Sequence, residues 1–141
     1  MTGGRARVVA VLAGAAVLVY AGFLGWDRSK DVDPVTGSTS GPYDTWQIAC
    51  TTVALGLLAY YGGRAQHAWA GALAISFGFT AAWSVGAATA PTEGANLWAV
   101  GAVFLFFGTL LSTVPVAWLT QRFSRPGKPP ARERVRPAPM R

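Results

Sequence analysis

With 141 residues, 52% of them hydrophobic, and a net charge of +6, the chain is basic yet apolar on average, with a mean hydropathy of +0.34. Its hydrophobic residues are gathered into four uncharged blocks, each near the ~20 residues needed to cross a bilayer, which excludes an ordinary soluble domain. Cys50 and His67 are the only residues of their kinds, which excludes an intrachain disulfide, a CxxC redox pair and a metal centre rich in Cys or His.

The first block runs from about Val8 to Trp26 and follows Arg5 and Arg7. Basic residues before an apolar run also have the form of a secretory signal peptide, but this run is longer than a usual signal core. It reads as the first membrane span. The segment 27–44 is an acidic outer loop, in which Asp31 and Asp33 precede a turn from Pro34 to Gly37. Two carboxylates fall short of the oxygen shell that calcium requires, so the loop reads as solvated and turn-rich.

The second block, 45–61, opens on Asp44 with Gln47 three positions on, the pattern of a capping box. Cys50 inside it reads as a small packing residue. Gly62-Gly63 predicts the end of this helix, and Arg64 and His67 fall in the short inner turn that follows. The third block, 68–90, carries Gly78, Ala82 and Gly86 at four-residue spacing, a stripe on which helices pack closely. Trp83 lies within the same span, and its indole N–H needs a partner in the bundle or water. Pro91 and Gly94 shape the next outer turn, and Asn96 is placed to cap the fourth block, 97–119. Gly108 and Ser112 give that block its own small-residue stripe. Pro115 removes one helical hydrogen bond, and Ser112 or Thr113 can help satisfy the freed backbone.

Continuous apolar runs without period-two alternation exclude a transmembrane barrel. The expected fold is therefore an all-α membrane protein, a four-transmembrane-helix up-down antiparallel bundle over residues 1–120, since short connections make consecutive helices antiparallel neighbours. Residues 121–141 hold seven basic residues and five prolines. They read as a disordered, Pro-rich cytoplasmic tail, too polar to form a core.

If all four blocks cross, ten basic residues lie on one side and only Arg28 and Lys30 on the other. The positive-inside rule then places both termini in the cytoplasm, in a single orientation. Trp26, Trp46 and Trp98 mark the outer ends of the spans; Trp69, Trp118, Tyr60 and Tyr61 mark the inner ends, as amphipathic rings do at headgroup depth. Arg outnumbers Lys ten to two and Ala and Gly are abundant, a usage typical of actinobacterial genomes. The expected location is accordingly a bacterial cytoplasmic (inner) membrane.

In length and span count the chain resembles the small multidrug resistance exporters. Their pattern requires a membrane-embedded Glu in the first helix, where this chain has only apolar residues, glycines and Tyr20. The quinone-linked disulfide-forming enzymes require paired cysteines, and Cys50 stands alone. No span contains Asp, Glu, Lys or Arg, whereas proton-coupled carriers use an intramembrane carboxylate.

The sequence therefore points to a noncatalytic accessory, scaffold or regulatory membrane subunit without a cofactor, with an oligomeric transporter or channel component for a small neutral or cationic solute as the alternative. The candidate ligand site is an outer vestibule of Trp26, Tyr43, Asp44, Trp46, Gln47, Glu93 and Trp98. Arg122, Arg125, Lys128, Arg132, Arg134 and Arg136 are candidate contacts to anionic lipid headgroups. The expected partners are the bilayer and another membrane protein or further copies of the chain, rather than nucleic acid.

Overall fold

The computed structural model describes residues 2–27, 35–37, 43–89 and 97–124. Four helices account for most of them: α1 (Thr2–Phe23), α2 (Thr45–Arg64), α3 (Ala68–Thr89) and α4 (Trp98–Phe123). Three segments, Gly3–Phe23, Ala68–Thr89 and Trp98–Phe123, are long and apolar enough to cross a membrane. α2 is 20 residues long but more polar, with Gln47, Thr51 and Thr52 near its start and Tyr60, Tyr61 and Arg64 near its end.

Helix ends and hydrophobic ends do not coincide. α1 begins at Thr2, ahead of the apolar block at Val8, and α4 continues to Phe123. Arg and Ala are good helix formers, so backbone hydrogen bonding runs on where hydrophobicity stops. Gly62 and Gly63 do not end α2; both are buried within its last turn. The reversal comes after Arg64, where Gln66 adopts φ +61°. There the backbone N–H groups of Ala65, Gln66 and His67 bond to Tyr61, Gly63 and Gly62. α4 has Leu97 at its cap position, without a side-chain bond, and Asn96 lies outside the described residues. α4 runs through Pro115 as one helix. Ser112 and Thr113 donate to the carbonyls of Gly108 and Thr109, each at 2.8 Å. Neither serves Leu111, whose carbonyl Pro115 leaves without its helical donor.

α3 packs most extensively, against α1 on one side and α4 on the other, α2 touches all three, and α1 and α4 do not meet. Leu12 approaches Gly71, Ala13 approaches Gly78 and Tyr20 approaches Gly86, so α1 and α3 run in the same direction. Trp83 lies over Gly101 and Ala68 bonds Gln121, so α3 and α4 run oppositely. The core is a ladder of Leu12, Ala16 and Tyr20 on α1 and Leu24 in the turn just after it, met by Leu55, Ala59, Ile75, Phe79 and Ala117. Its four-residue spacing is one face of a helix.

The α2–α3 turn end is pinched. A β-carbon on Gly63 would collide with the Ala117 carbonyl oxygen and lie 2.8 Å from Thr120 Cβ, while Gly71 and Gly62 stack 3.3 Å apart by the same measure. Only glycine permits backbones this close. The α3 stripe is used inside the chain: Gly78 faces the Ala13 backbone, Gly86 the Tyr20 hydroxyl, and Ala82 packs on the core. The α4 stripe differs. Nothing lies within 4 Å of a β-carbon on Gly108, and Ser112 is exposed. Cys50 is exposed as well, on the outward face of α2 rather than packed within the chain.

Leu18, Phe104 and Leu111 are each more than 70% exposed. An apolar surface of this kind suits a hydrocarbon solvent and would be a liability in water.

Candidate functional site

At the end opposite the turn, the sequence-predicted vestibule is partly assembled. Asp44 caps α2 in extended conformation and forms the expected capping box with Gln47. The Asp44 N–H donates to Gln47 Oε1 at 2.6 Å. The Trp46 indole N–H donates to the Asp44 carboxylate at 3.2 Å, and the Trp26 and Trp46 rings lie 6.4 Å apart. Trp98 opens α4. Glu93 lies outside the described residues, as do Asp31 and Asp33; the turn they precede is described at Val35 to Gly37, with Gly37 at φ +67°.

Gln47 does not line an open vestibule. Its side chain is fully buried, and its Nε2 has no partner among the described residues. The box explains this: Oε1 is drawn back to the Asp44 N–H, and the amide is turned under the first turn of α2.

Tyr43 reaches into the bundle, where its hydroxyl is flanked by Tyr20 and Trp83. Burial, and next the neighbouring Tyr20, push the Tyr43 hydroxyl up from 10.0 to about 12. Tyr20 is a site residue that sequence reasoning left unassigned, although as the one hydroxyl of its span it carried the signal.

A groove runs from this end between α2 and α4, enclosing about 530 Å³. Phe79 and Trp83 of α3 form its floor, Thr52 and Gly56 one lip, Gly108 and Ser112 the other. Gly56, like Gly108, has nothing within 4 Å of its β-carbon position. The groove hydroxyls of Thr52, Thr109, Ser112 and Thr113 all return to carbonyls of their own helix. That leaves those walls apolar in effect, while Thr51, which also lines the groove, buries its Oγ1 without a partner among the described residues.

Comparisons with protein-family models, with curated proteins and with solved structures gave no match. The chemistry therefore rests on the residues themselves. Among the described residues no three His, Cys, Asp or Glu side chains gather as a metal cluster would. The only described carboxylates are Asp27 and Asp44, both at the end away from the α2–α3 turn.

At the turn end, Trp69, Trp118, Gln121 and Arg122 line a second recess of about 420 Å³. The Arg122 guanidinium stacks over the Trp118 ring at 5.3 Å. Of the basic residues assigned to lipid contact, Arg122 alone is described; Arg125, Lys128, Arg132, Arg134 and Arg136 lie outside the described residues.

Proposed function

We propose that the chain is a four-span, up-down membrane protein of a bacterial inner membrane, with both termini cytoplasmic. It acts as a noncatalytic accessory, scaffold or regulatory subunit. The observation that carries this reading is the groove between α2 and α4, whose lips are the uncovered Gly56 and Gly108. In lipid, helices associate where small residues let backbones approach, because hydrocarbon provides no hydrophobic drive of its own. The α3 stripe is consumed by α1 within the chain, so the groove is the small-residue face left for a partner helix. The uncharged spans support a binding role over ion movement, since ionisable groups in the bilayer are the usual mark of a transport path.

The test is purification from native membranes in mild detergent, with mass-spectrometric identification of stoichiometric partners. Gly108→Leu and Gly56→Leu should strip the partner without lowering the chain's own thermal midpoint, because among the described residues nothing lies within 4 Å of either β-carbon position. Full retention of the partner by both variants would reject the groove as its seat. A homogeneous homo-oligomer that conducts a solute in liposomes would reject the accessory reading.

A further inference from the structure

We propose that the recess of Trp69, Trp118, Gln121 and Arg122 is a specific site for one anionic phospholipid, with the lipid phosphate held by the Arg122 guanidinium. The proposal rests on the reading of the chain as membrane-spanning. It differs from the diffuse attraction of a basic tail, because the recess is built. Gln121 is fixed at both ends of its amide: Oε1 accepts the Ala68 N–H at 3.2 Å, and Nε2 donates to the Gln66 carbonyl at 3.4 Å. These bonds tie the end of α4 to the turn before α3 and set one wall.

Arg122 uses the face of its guanidinium on Trp118, which leaves the edge N–H groups to bind an anion; a planar guanidinium matches phosphate oxygens in pairs. The described carboxylates, Asp27 and Asp44, are at the far end of the bundle. The start of α3, where Trp69 is the second residue, adds the positive end of a helix dipole on the same side. Two exposed indoles flank the recess. Their apolar bodies favour a molecule with glycerol and acyl groups below its phosphate over a free anion.

The full chain in nanodiscs, equilibrated with phosphatidylglycerol or phosphatidylcholine and released into native mass spectrometry, should retain one phosphatidylglycerol and no phosphatidylcholine. Arg122→Gln should weaken that retention roughly five- to ten-fold, the loss of about one lipid-facing cation. A second variant, in which Arg125, Lys128, Arg132, Arg134 and Arg136 are all changed to Gln, should keep it. Quenching of indole fluorescence by brominated phosphatidylglycerol should fall in Trp69→Phe. Equal retention by wild type and Arg122→Gln, loss of binding in the tail variant, or displacement of the lipid by an acidic peptide would each overturn the site. Membrane insertion is read separately by alkaline extraction. Release of the chain into the supernatant would overturn the membrane reading itself, and the site with it.

Discussion

Tyr43 shows how a single side chain reports on the packing around it. Its hydroxyl is pushed from 10.0 to about 12 by burial and by Tyr20, so the folded chain favours the protonated form. The stability this contributes is fully present below pH 10 and is lost as pH rises from about 10 to about 12. Tyrosinate absorbance should therefore show a late-titrating component that disappears in Tyr43→Phe; a Tyr43→Phe titration identical to wild type would show that Tyr43 is not the late group. Gly63 gives the complementary case, a residue defined by the absence of a side chain. Gly63→Val drives a side chain into Ala117 and Thr120 and should destabilise by about 1–3 kcal/mol, as overpacking does, read as a fall in thermal midpoint in detergent. Asp44 and Gln47 were legible in the sequence because a capping box is a local pattern. Tyr20, Tyr43 and Trp83 were not, because they come from three elements and meet only when the helices pack. Gly62-Gly63 reads as a stop by local rules, and the packing of α4 against it overrides that rule.

Among the elements, α3 was the most legible and α2 the least. The Gly78, Ala82, Gly86 stripe announces a close helix contact, and α1 supplies it. The similar stripe at Gly108 and Ser112 makes no such contact among the described residues, since spacing shows that a face can be approached and not what approaches it. α2 and α3 also bury polar groups without partners among the described residues: Thr51 Oγ1 on α2, Ser76 Oγ and Thr80 Oγ1 on α3. An orphaned buried hydroxyl costs about 1–3 kcal/mol, and an isosteric apolar replacement removes that cost. Thr80→Val should accordingly raise stability by about 1 kcal/mol, measured by thermal or denaturant unfolding in micelles. A marked loss of stability would mean that Thr80 has a partner that it needs. At the start of α2, Asp44→Ala should cost about 1 kcal/mol and speed amide exchange in the first turn; exchange unchanged there would remove the cap from the account.

For the molecule as a whole, the four hydrophobic blocks were legible and the order of packing was not. Apolar length is a property of each segment, whereas α3 lies between α1 and α4 because of where the glycines let backbones meet. The proposed orientation predicts that a cysteine at Thr36 is labelled by an impermeant thiol reagent in intact cells and that one at Arg125 is labelled only after lysis, with Cys50 first replaced by Ala. The reverse pattern would invert the protein in the membrane. The tail's basic residues should add on the order of 1 kcal/mol each to association with anionic vesicles. Replacing them with Gln should weaken that association at low salt without affecting insertion.

The more polar character of α2 bears on how the chain is made. Its neighbours α3 and α4 are synthesised after it, and roughly 60 residues separate the end of α2 from the end of α4. At ~5–20 residues per second that is an interval of several seconds. During it Gln47 and Thr51 have only α1 for shelter. On the proposed four-span reading, α2 waits beside the insertion machinery for the helices that will cover it, and biogenesis as well as the finished fold limits how polar α2 can become.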